Sequence, residues 1–567
     1  MALMAPSMWN GERAVVILFL GLILFSAPYS LLLESIALFI IALAALFVEI
    51  SAESSDALGA LKVRPGASSG ILLGSVTLPA VMFSKLTQLS RALLLGEVEL
   101  EGFENQSIVC WTTSVSCFSV IIFLFLVLQH SRHSSCSFSH SSWAVKFVFI
   151  SIMLCAMVYL LVLSPYSSNG PLSLLKLLWM LGHGVATVEL MQQIFHTFPS
   201  CASIGEALLV TAGLVIYSGD MLRSTIFKIH ELWVSSEVDA KYTVKRSEIG
   251  TIIQGMVLGL LLFPLIFKFA LKIGDCFRSS SYSSARACND IGRSIIFFGS
   301  LAFTLIVIIP FWVQFVQDFQ VHPLLWVLIF TFSEPLKRLS LCIYWISVIL
   351  VSVRRFYYIS KKSKIERILL RKYYHLMAVS MFVPALILQP DFLNLAFGAA
   401  LAVFLLLEII RVWRIWPLGE FIHQFMSAFT DHRDSDILIV SHFSLLLGCA
   451  LPMWMSSGFN DRPLAPFAGI LSLGIGDTMA SVVGHKYGVL RWSKSGKKTI
   501  EGTAAGITSV LAACSVLLPL LASTGYILTQ NWYSILLAVI ISGLLEAYTA
   551  QLDNAFIPLV FYSLLCI

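Results

Sequence analysis

Apolar runs of roughly 20 residues, the length of one membrane crossing, follow one another along the chain with short polar connections between them. Residues 14–50 carry only two charges, Glu34 and Glu49, and Pro28 divides this stretch into two expected spans. Because lipid offers the backbone no hydrogen-bond partner, each run is expected to be a helix. The further runs before residue 354 lie near 71–89, 109–129, 144–164, 172–192, 207–222, 250–272, 294–317 and 325–353.

The pattern changes at residue 354. The segment 354–372 contains eight Lys or Arg residues and one acid, and short basic loops stay on the cytosolic side of a membrane. The apolar runs that follow lie near 376–389, 392–410, 437–455, 465–484, 503–525 and 533–547. Counting crossings from 354–372 brings three more polar blocks to the same face, namely 411–436, 485–502 and 546–554.

These patterns predict an all-α, polytopic transmembrane protein with roughly 14–17 spans. Two multi-span regions are expected: 1–353, which shows no chemical constellation, and 354–567, where the reactive side chains gather. Only 12% of the residues are charged, against about 25% in soluble proteins. The net charge of +5 comes from bases in loops, which fits membrane topology better than nucleic-acid binding. The eleven cysteines form no CxxC pair, so neither a zinc site nor a disulfide framework is indicated.

The densest chemistry lies between residues 476 and 502. Asp477, Ala480, Gly484 and Gly488 are spaced by three, four and four residues, so they share one face of a helix. A small-residue face admits either another backbone or a ligand, and for the glycines alone helix packing is the favoured interpretation. No acid occurs between Thr478 and Ile500, where the bases are Lys486, Arg491, Lys494, Lys497 and Lys498.

The tail of this stretch, Lys497-Lys498-Thr499-Ile500-Glu501-Gly502, is not explained by packing. A lone carboxylate, a glycine face and a basic loop together suit a polyphosphate with a bound divalent metal. Asp477 needs a cationic partner so close to the membrane, and either a metal ion or a lysine would serve. The chain has no Walker A motif and no protein-kinase signature, so a nucleotide site must be of another kind.

Three other blocks carry candidate residues. Asp431 and Asp434 are three residues apart, which places them on one face if the segment is helical or in a solvated loop if it is not. Glu546 and Asp553 are two helical turns apart and are expected to share a face. Capping of a final span by Asp553 and Asn554 is the alternative there. Just before a span stands Arg371-Lys372-x-x-His375, whose histidine either contacts substrate or is structural.

These motifs carry a family resemblance. The pattern Asp477-x-x-Ala480-x-x-x-Gly484-x-x-x-Gly488, followed by Lys497-Lys498-Thr499-x-Glu501-Gly502, resembles the CTP-binding signature of dolichol kinases. The blocks 371–375, 431–434 and 546–554 also resemble that family. Residues 366–567 resemble its catalytic part, and the many-span N-terminal half resembles its eukaryotic members.

The resemblance implies transfer of the γ-phosphate of CTP to dolichol, which gives dolichyl phosphate and CDP at the cytosolic face of the endoplasmic reticulum membrane. The product would be the lipid carrier for protein glycosylation. The expected partners are dolichol or another long polyprenol, CTP and membrane lipids, with no nucleic acid.

Roles are implied for particular residues. Mg²⁺ is the expected metal, held by Asp477 with Glu501 as a second ligand or as its hydrogen-bonded support. The catalytic candidates are Asp477, Lys497, Lys498, Asp434 and Asp553. The CTP-binding candidates are Gly484, His485, Lys486, Gly488, Lys497, Lys498, Thr499, Glu501 and Gly502. On the substrate side the candidates are Arg371, Lys372, His375, Asp431, Glu546 and Asn554.

Two alternatives stay open at this point. CTP:phosphatidate cytidylyltransferases share the aspartate, the glycines and the Lys-x-x-Glu-Gly element, but they transfer CMP rather than phosphate. The block 546–554 and the many N-terminal spans fit the kinase better. A transporter is suggested by span count alone, and its polar pairs would lie at mid-membrane rather than at one face.

Overall fold

The structure is a computed structural model, and it describes residues 10–53, 61, 63–64, 68–133, 170–233, 247–277, 286–362, 367–427, 440–492, 498–524 and 531–567. Throughout these ranges the chain is helical and contains no β-strand, with one isolated antiparallel bridge between Arg491 and Thr499. The predicted all-α class is therefore confirmed.

The helices of the first half are α1 (Gly11–Phe25), α2 (Leu32–Glu53), α3 (Ile71–Leu95), α4 (Leu100–His133), α5 (Gly170–Thr197), α6 (Ile204–Trp233), α7 (Glu248–Phe277), α8 (Arg286–Phe303), α9 (Ile309–Val316), α10 (Pro323–Ser333) and α11 (Pro335–Lys362). Those of the second half are α12 (Arg367–Leu388), α13 (Pro390–Trp413), α14 (Leu418–Ser427), α15 (Val440–Met455), α16 (Thr478–Tyr487), α17 (Ile500–Ser523), α18 (Trp532–Tyr548) and α19 (Asp553–Cys566). A π-helical stretch, Ile470–Asp477, leads directly into α16.

Within the described ranges, nine helical stretches are long and apolar enough to cross a membrane, and five shorter apolar helices accompany them. This confirms a polytopic membrane protein. The number of crossings stays a prediction, since the expected span 144–164 lies outside the described residues.

Three predicted runs are not single regular helices, and the first is 294–317, in which a π-helical stretch, Thr304–Ile308, lies between α8 and α9. The run 325–353 was expected to be one span, but it is divided at Glu334 into α10 and α11. Pro335 explains the division, because a proline has no amide hydrogen to continue a helix and is preferred at a helix start. The run 465–484 is a short 3₁₀ turn, then the π-helical stretch, then α16, rather than one regular helix.

Two compact units divide the chain. The first combines residues 1–219, 358–379 and 448–567, and the second combines 220–357 and 380–447. The first unit therefore joins most of the N-terminal helices to the segments that carry the predicted chemistry. The boundary predicted between residues 353 and 354 separates a region without reactive side chains from the expected catalytic region, and it stays a prediction.

The core of the first unit is α3, which is almost wholly buried among α2, α4 and α19. Several of its buried hydroxyls bond within the helix or across the packing: Ser84 bonds the carbonyl of Ala80, and its Oγ lies 2.6 Å from Ser563 Oγ of α19. In the second unit α7, α8 and α13 meet around an aromatic cluster, in which the rings of Phe267 and Trp413 stack at 5.1 Å.

Candidate active site

The π-helical stretch places Asp477 against α12. Small residues allow this approach, since a Cβ on Gly474 would lie only 2.2 Å from Val379 Cγ2 and 3.6 Å from the carbonyl oxygen of His375. Lys372 and His375 are three residues apart on α12 and so lie on the same side of that helix. Two helices distant in sequence thus present their polar residues to one point.

Asp477 is the centre of the first charge cluster and is 3% exposed. Its Oδ2 lies 2.5 Å from Lys372 Nζ and 3.2 Å from His375 Nδ1. The same ring nitrogen lies 3.2 Å from the carbonyl oxygen of Leu473, and the hydroxyl of Thr478 donates to the carbonyl of Lys372 at 3.4 Å. Lys372 is the cationic partner that the buried carboxylate requires.

Lys498 forms a second cluster with Glu546. Its Nζ lies 3.1 Å from Glu546 Oε1 and also donates to the Glu546 carbonyl oxygen. Burial alone would lower the pKa of Lys498, but the charges of Glu546 and Asp553 outweigh it and hold that pKa above its ordinary value. Lys498 therefore remains a cation, and both acids of the 546–554 block act on it.

The expected shared helical face of Glu546 and Asp553 is wrong. Helix α18 ends at Tyr548 and α19 begins at Asp553, so residues 549–552 form a non-helical connection between the two acids. The alternative interpretation, capping of a final span by Asp553 and Asn554, is right in placing a helix start at Asp553, but Leu552 holds the N-cap position and no side chain caps the helix there. The two acids approach Lys498 from different helices instead of from one face.

Packing does explain part of the tail 497–502, contrary to expectation. The Thr499 side chain caps α17 by accepting the amide of Gly502 at 3.2 Å. Glu501 accepts the amide of Leu490 at 3.0 and 3.2 Å with its two oxygens. A Cβ on Gly502 would lie 2.6 Å from the carbonyl oxygen of Ala480, so glycine is needed where α16 and α17 touch.

The predicted glycine face lies at the same helix contact. A Cβ on Gly484 would meet Thr499 Oγ1 at 2.8 Å, and one on Gly488 would meet the carbonyl oxygen of Gly484 at 2.3 Å. These close approaches agree with the helix-packing interpretation. His485 and Lys486, at the end of α16, are exposed, and a role for this face in binding CTP stays a prediction.

A narrow cavity of about 30 Å³ connects the two carboxylates. Asp477 and Glu546 both line it, while its remaining wall is mostly apolar or small. A water needs about 10–15 Å³ of cavity volume on this measure, so the cavity admits two or three water-sized groups. The other lining residues are Ser472, Gly476, Ala480, Thr503, Gly506, Ile507, Val510, Val539, Ser542, Gly543, Ile557 and Phe561.

Comparison with known proteins identifies the family of this site. A family model described as dolichol kinase matches residues 172–518. The chain belongs to the dolichol kinase family. A dolichol kinase of Arabidopsis thaliana, named EVAN, is 60% identical over 565 residues, which is 99% of each chain. The dolichol kinase of Homo sapiens is 33% identical over 395 residues, or 67% of each chain. No solved structure matches.

Membership of the dolichol kinases favours lipid phosphorylation over cytidylyl transfer and over transport. The structure brings together Asp477, Lys372 and His375, and separately Lys498, Glu546 and Asp553. Asn554 is buried at the start of α19. Three predicted residues, Asp431, Asp434 and Lys497, and the side chain of Arg371 lie outside what the structure describes.

The expected metal ligands Asp477 and Glu501 have different partners. Asp477 contacts α12, whereas the Glu501 carboxylate accepts the Leu490 amide. Among the residues described, no group of three or more His, Cys, Asp or Glu side chains is arranged to hold a metal ion. A dolichol kinase that binds Mg²⁺ here would therefore depend on one or two carboxylates and the phosphates of the nucleotide.

Proposed function

We propose that this chain transfers the γ-phosphate of CTP to dolichol at the cytosolic face of the endoplasmic reticulum membrane, and that the product serves protein glycosylation. The observation that carries the proposal is the meeting of two carboxylate–lysine pairs, Asp477 with Lys372 and Glu546 with Lys498, at one narrow cavity. Phosphoryl transfer consists mainly of positioning and charge neutralisation, which such a site supplies.

The acceptor end of the lipid fits the cavity. Much of its wall is made by apolar side chains of α17, α18 and α19, and its volume of about 30 Å³ suits a terminal hydroxymethyl group rather than a sugar or a base. Two lining glycines lie at helix contacts: a Cβ on Gly543 of α18 would meet Ile507 of α17 at 2.6 Å, and one on Gly506 of α17 would meet the carbonyl oxygen of Gly476 at 2.9 Å. The isoprenoid remainder would extend into the surrounding lipid, where it is already dissolved.

The reaction then has a balanced course. The hydroxyl oxygen of the acceptor attacks the γ-phosphorus, the bond from that phosphorus to the β–γ bridging oxygen breaks, and CDP leaves. The proton of the hydroxyl passes to a carboxylate at the cavity, for which we propose Glu546, whose Oε1 lies 3.1 Å from Lys498 Nζ. Lys498 and the exposed bases at the end of α16 screen the phosphate charge.

A divalent metal could be held by the second carboxylate oxygen of Asp477, Oδ1. Lys372 and His375 both approach Oδ2, so neither of them engages Oδ1 of the same carboxylate. Mg²⁺ usually takes one or two carboxylates beside phosphate oxygens and would supply neutralisation of the charge developing on the nucleotide. Because the oxygens of Glu501 accept the Leu490 amide, we propose Glu501 as a support of the loop rather than as a ligand.

The deciding experiment incubates purified protein with dolichol and CTP labelled on either the α- or the γ-phosphate. The γ-label is expected in the lipid and the α-label in CDP. Transfer of the α-label to lipid would establish cytidylyl transfer and refute the proposal. Transfer from γ-labelled ATP at equal concentration, but not from CTP, would refute the choice of donor while leaving the kinase reaction in place.

A further inference from the structure

The connection 549–552 lies between two acids of the candidate site, Glu546 on α18 and Asp553 on α19. Its four residues, Thr-Ala-Gln-Leu, include neither Gly nor Pro, and one local bond, from the amide of Gln551 to Thr549 Oγ1 at 3.1 Å, turns its first half. The geometry of the two acids therefore depends on what holds this connection in place. Its contacts lead to the N-terminal part of the same compact unit.

Gln551 is the first anchor and is 1% exposed. Its Nε2 donates to the carbonyl and the hydroxyl of Ser68 at 2.9 and 2.8 Å, and its Oε1 accepts from the hydroxyl of Ser203. Both ends of this buried amide are thus satisfied by the N-terminal region. A buried amide without such partners would be costly, so the contacts specify one position for the connection.

Glu206 is the second anchor and is 2% exposed. Its Oε1 accepts the amide of Leu552 at 2.8 Å and pairs with Arg64 Nη2 at 2.7 Å. Its Oε2 accepts the amide of Ser203 at 2.9 Å, while Ser203 Oγ accepts the amide of Glu206 at 3.1 Å. This reciprocal capping box at the start of α6 fixes the carboxylate that holds the connection.

Close backbone approaches support both anchors. Gly70 has a φ of +61°, and a Cβ there would lie 2.4 Å from Cδ of Gln551. The amide of Gly205 donates to the carbonyl of Ser69 at 3.0 Å. Just before the connection, Tyr548 lies against Gly11 of α1, and its ring is 5.1 Å from that of Trp492, in the loop between α16 and α17.

We infer that the N-terminal region holds the connection 549–552 in a fixed position, and that Glu206 and Gln551 are positioning residues for phosphoryl transfer. They act through Glu546, which pairs with Lys498, and through Asp553 at the start of α19. The inference rests on the proposed function in taking these three residues to be part of the active site. It assigns a role to N-terminal spans that carry no reactive constellation of their own.

The test compares Glu206→Gln and Gln551→Leu with a control, Asp461→Asn, in membranes supplied with dolichol and CTP. Asp461 pairs with Arg91 at 2.8 Å, and Arg91 also donates to the carbonyl of Cys566, at the far end of α19. The control therefore breaks a partly buried ion pair of the same unit without touching the connection. Measured quantities are kcat, the KM for CTP and the midpoint of thermal unfolding.

All three variants are expected to lower the thermal midpoint. Only Glu206→Gln and Gln551→Leu should lower kcat, by about tenfold, with the KM for CTP unchanged, as when an interaction made in the transition state is lost. If Gln551→Leu does not accumulate, Gln551→Glu, which retains the acceptor for Ser203, replaces it.

Two outcomes would overturn the inference: unchanged kcat in both variants, or an equal loss of kcat in Asp461→Asn at a matched fall in thermal midpoint. An inactive wild-type protein under the same conditions would instead count against the proposed function. The two failures are therefore distinguishable.

Discussion

Variants that remove the charges of the Lys372–Asp477 pair distinguish two roles of Asp477, a structural contact with α12 and an action on the nucleotide. Lys372→Met removes the cation 2.5 Å from Oδ2, whereas Asp477→Asn keeps the shape of the side chain and removes its charge. The double variant removes both charges. If the only role of Asp477 is to hold α12 against the π-helical stretch, the double variant should recover the stability and the activity that each single variant loses.

The magnitude follows from burial, since the side chains of Lys372 and Asp477 are 14% and 3% exposed. Truncating one partner of a buried pair costs about 3–5 kcal/mol, because the other charge is left unpaired, while replacing both is often close to neutral. In Lys372→Met, His375 remains 3.2 Å from the carboxylate as a partial partner. We therefore expect each single variant to lie near the lower limit, about 3 kcal/mol, and the double variant to recover most of it.

Activity should behave differently from stability. If Asp477 also acts on the nucleotide, Asp477→Asn and the double variant should both lose about 10²-fold or more in kcat, as when a preorganised electrostatic group is removed. The assay combines transfer of the γ-label to dolichol with thermal unfolding in detergent. A double variant that regains both stability and turnover would refute the nucleotide role and reduce Asp477 to a structural partner of Lys372.

Three further predictions concern the loop, the helix contact and the topology. Lys498→Met should abolish phosphate transfer, while Lys498→Arg should retain part of it. Because the pKa of Lys498 is raised, its charge and the stability it contributes are complete below the ordinary lysine pKa and are lost only as pH rises through the raised value. The pH profile of activity near neutrality should therefore be the same in Lys498→Arg and in the wild type, and a profile that shifts in this variant would contradict the prediction. Gly502→Ala should destabilise the protein by about 1–3 kcal/mol, since its Cβ would lie 2.6 Å from the carbonyl oxygen of Ala480. Gly182→Ala is the matched control, because a Cβ there has nothing within 4 Å. Equal denaturation curves for the two variants would contradict the close packing of Gly502. Cysteines placed at 434 and 495 of a background without other thiols should be labelled from the cytosolic side of sealed vesicles, and labelling from the lumen alone would refute the common face of the polar blocks.

Hydropathy made the membrane-helical class predictable, because it depends only on local composition. Pro28 separates α1 from α2 as expected. The pairing of Asp477 with α12 could be anticipated only as a need for a cation, since Lys372 is 105 residues away in sequence and no spacing rule connects them. The motif Arg371-Lys372-x-x-His375 singles out Lys372 as a substrate-side candidate, but nothing in the pattern identifies it as the partner of Asp477.

The break between α18 and α19 shows where local reasoning fails. Two helical turns separate Glu546 from Asp553 in sequence, and no Gly or Pro stands between them, so one continuous helix was the natural expectation. The structure stabilises the break from outside, through Gln551 and the Leu552 amide bound to Glu206. The pattern Ser203-x-x-Glu206 is typical of a helix start, but its spacing gives no sign that the Glu206 carboxylate accepts the amide of Leu552.

The glycine face shows how one spacing can serve packing and chemistry together. Gly484 and Gly502 let α16 approach α17 so closely that Thr499 can both cap α17 and contact α16. Lys498 is the residue before that cap, so the depth of the helix contact also sets where its ammonium group lies relative to Glu546. Small residues at the contact and a lysine at its edge are thus parts of one geometric requirement. The glycines affect the site indirectly, because the helix contact that they allow sets the position of Lys498.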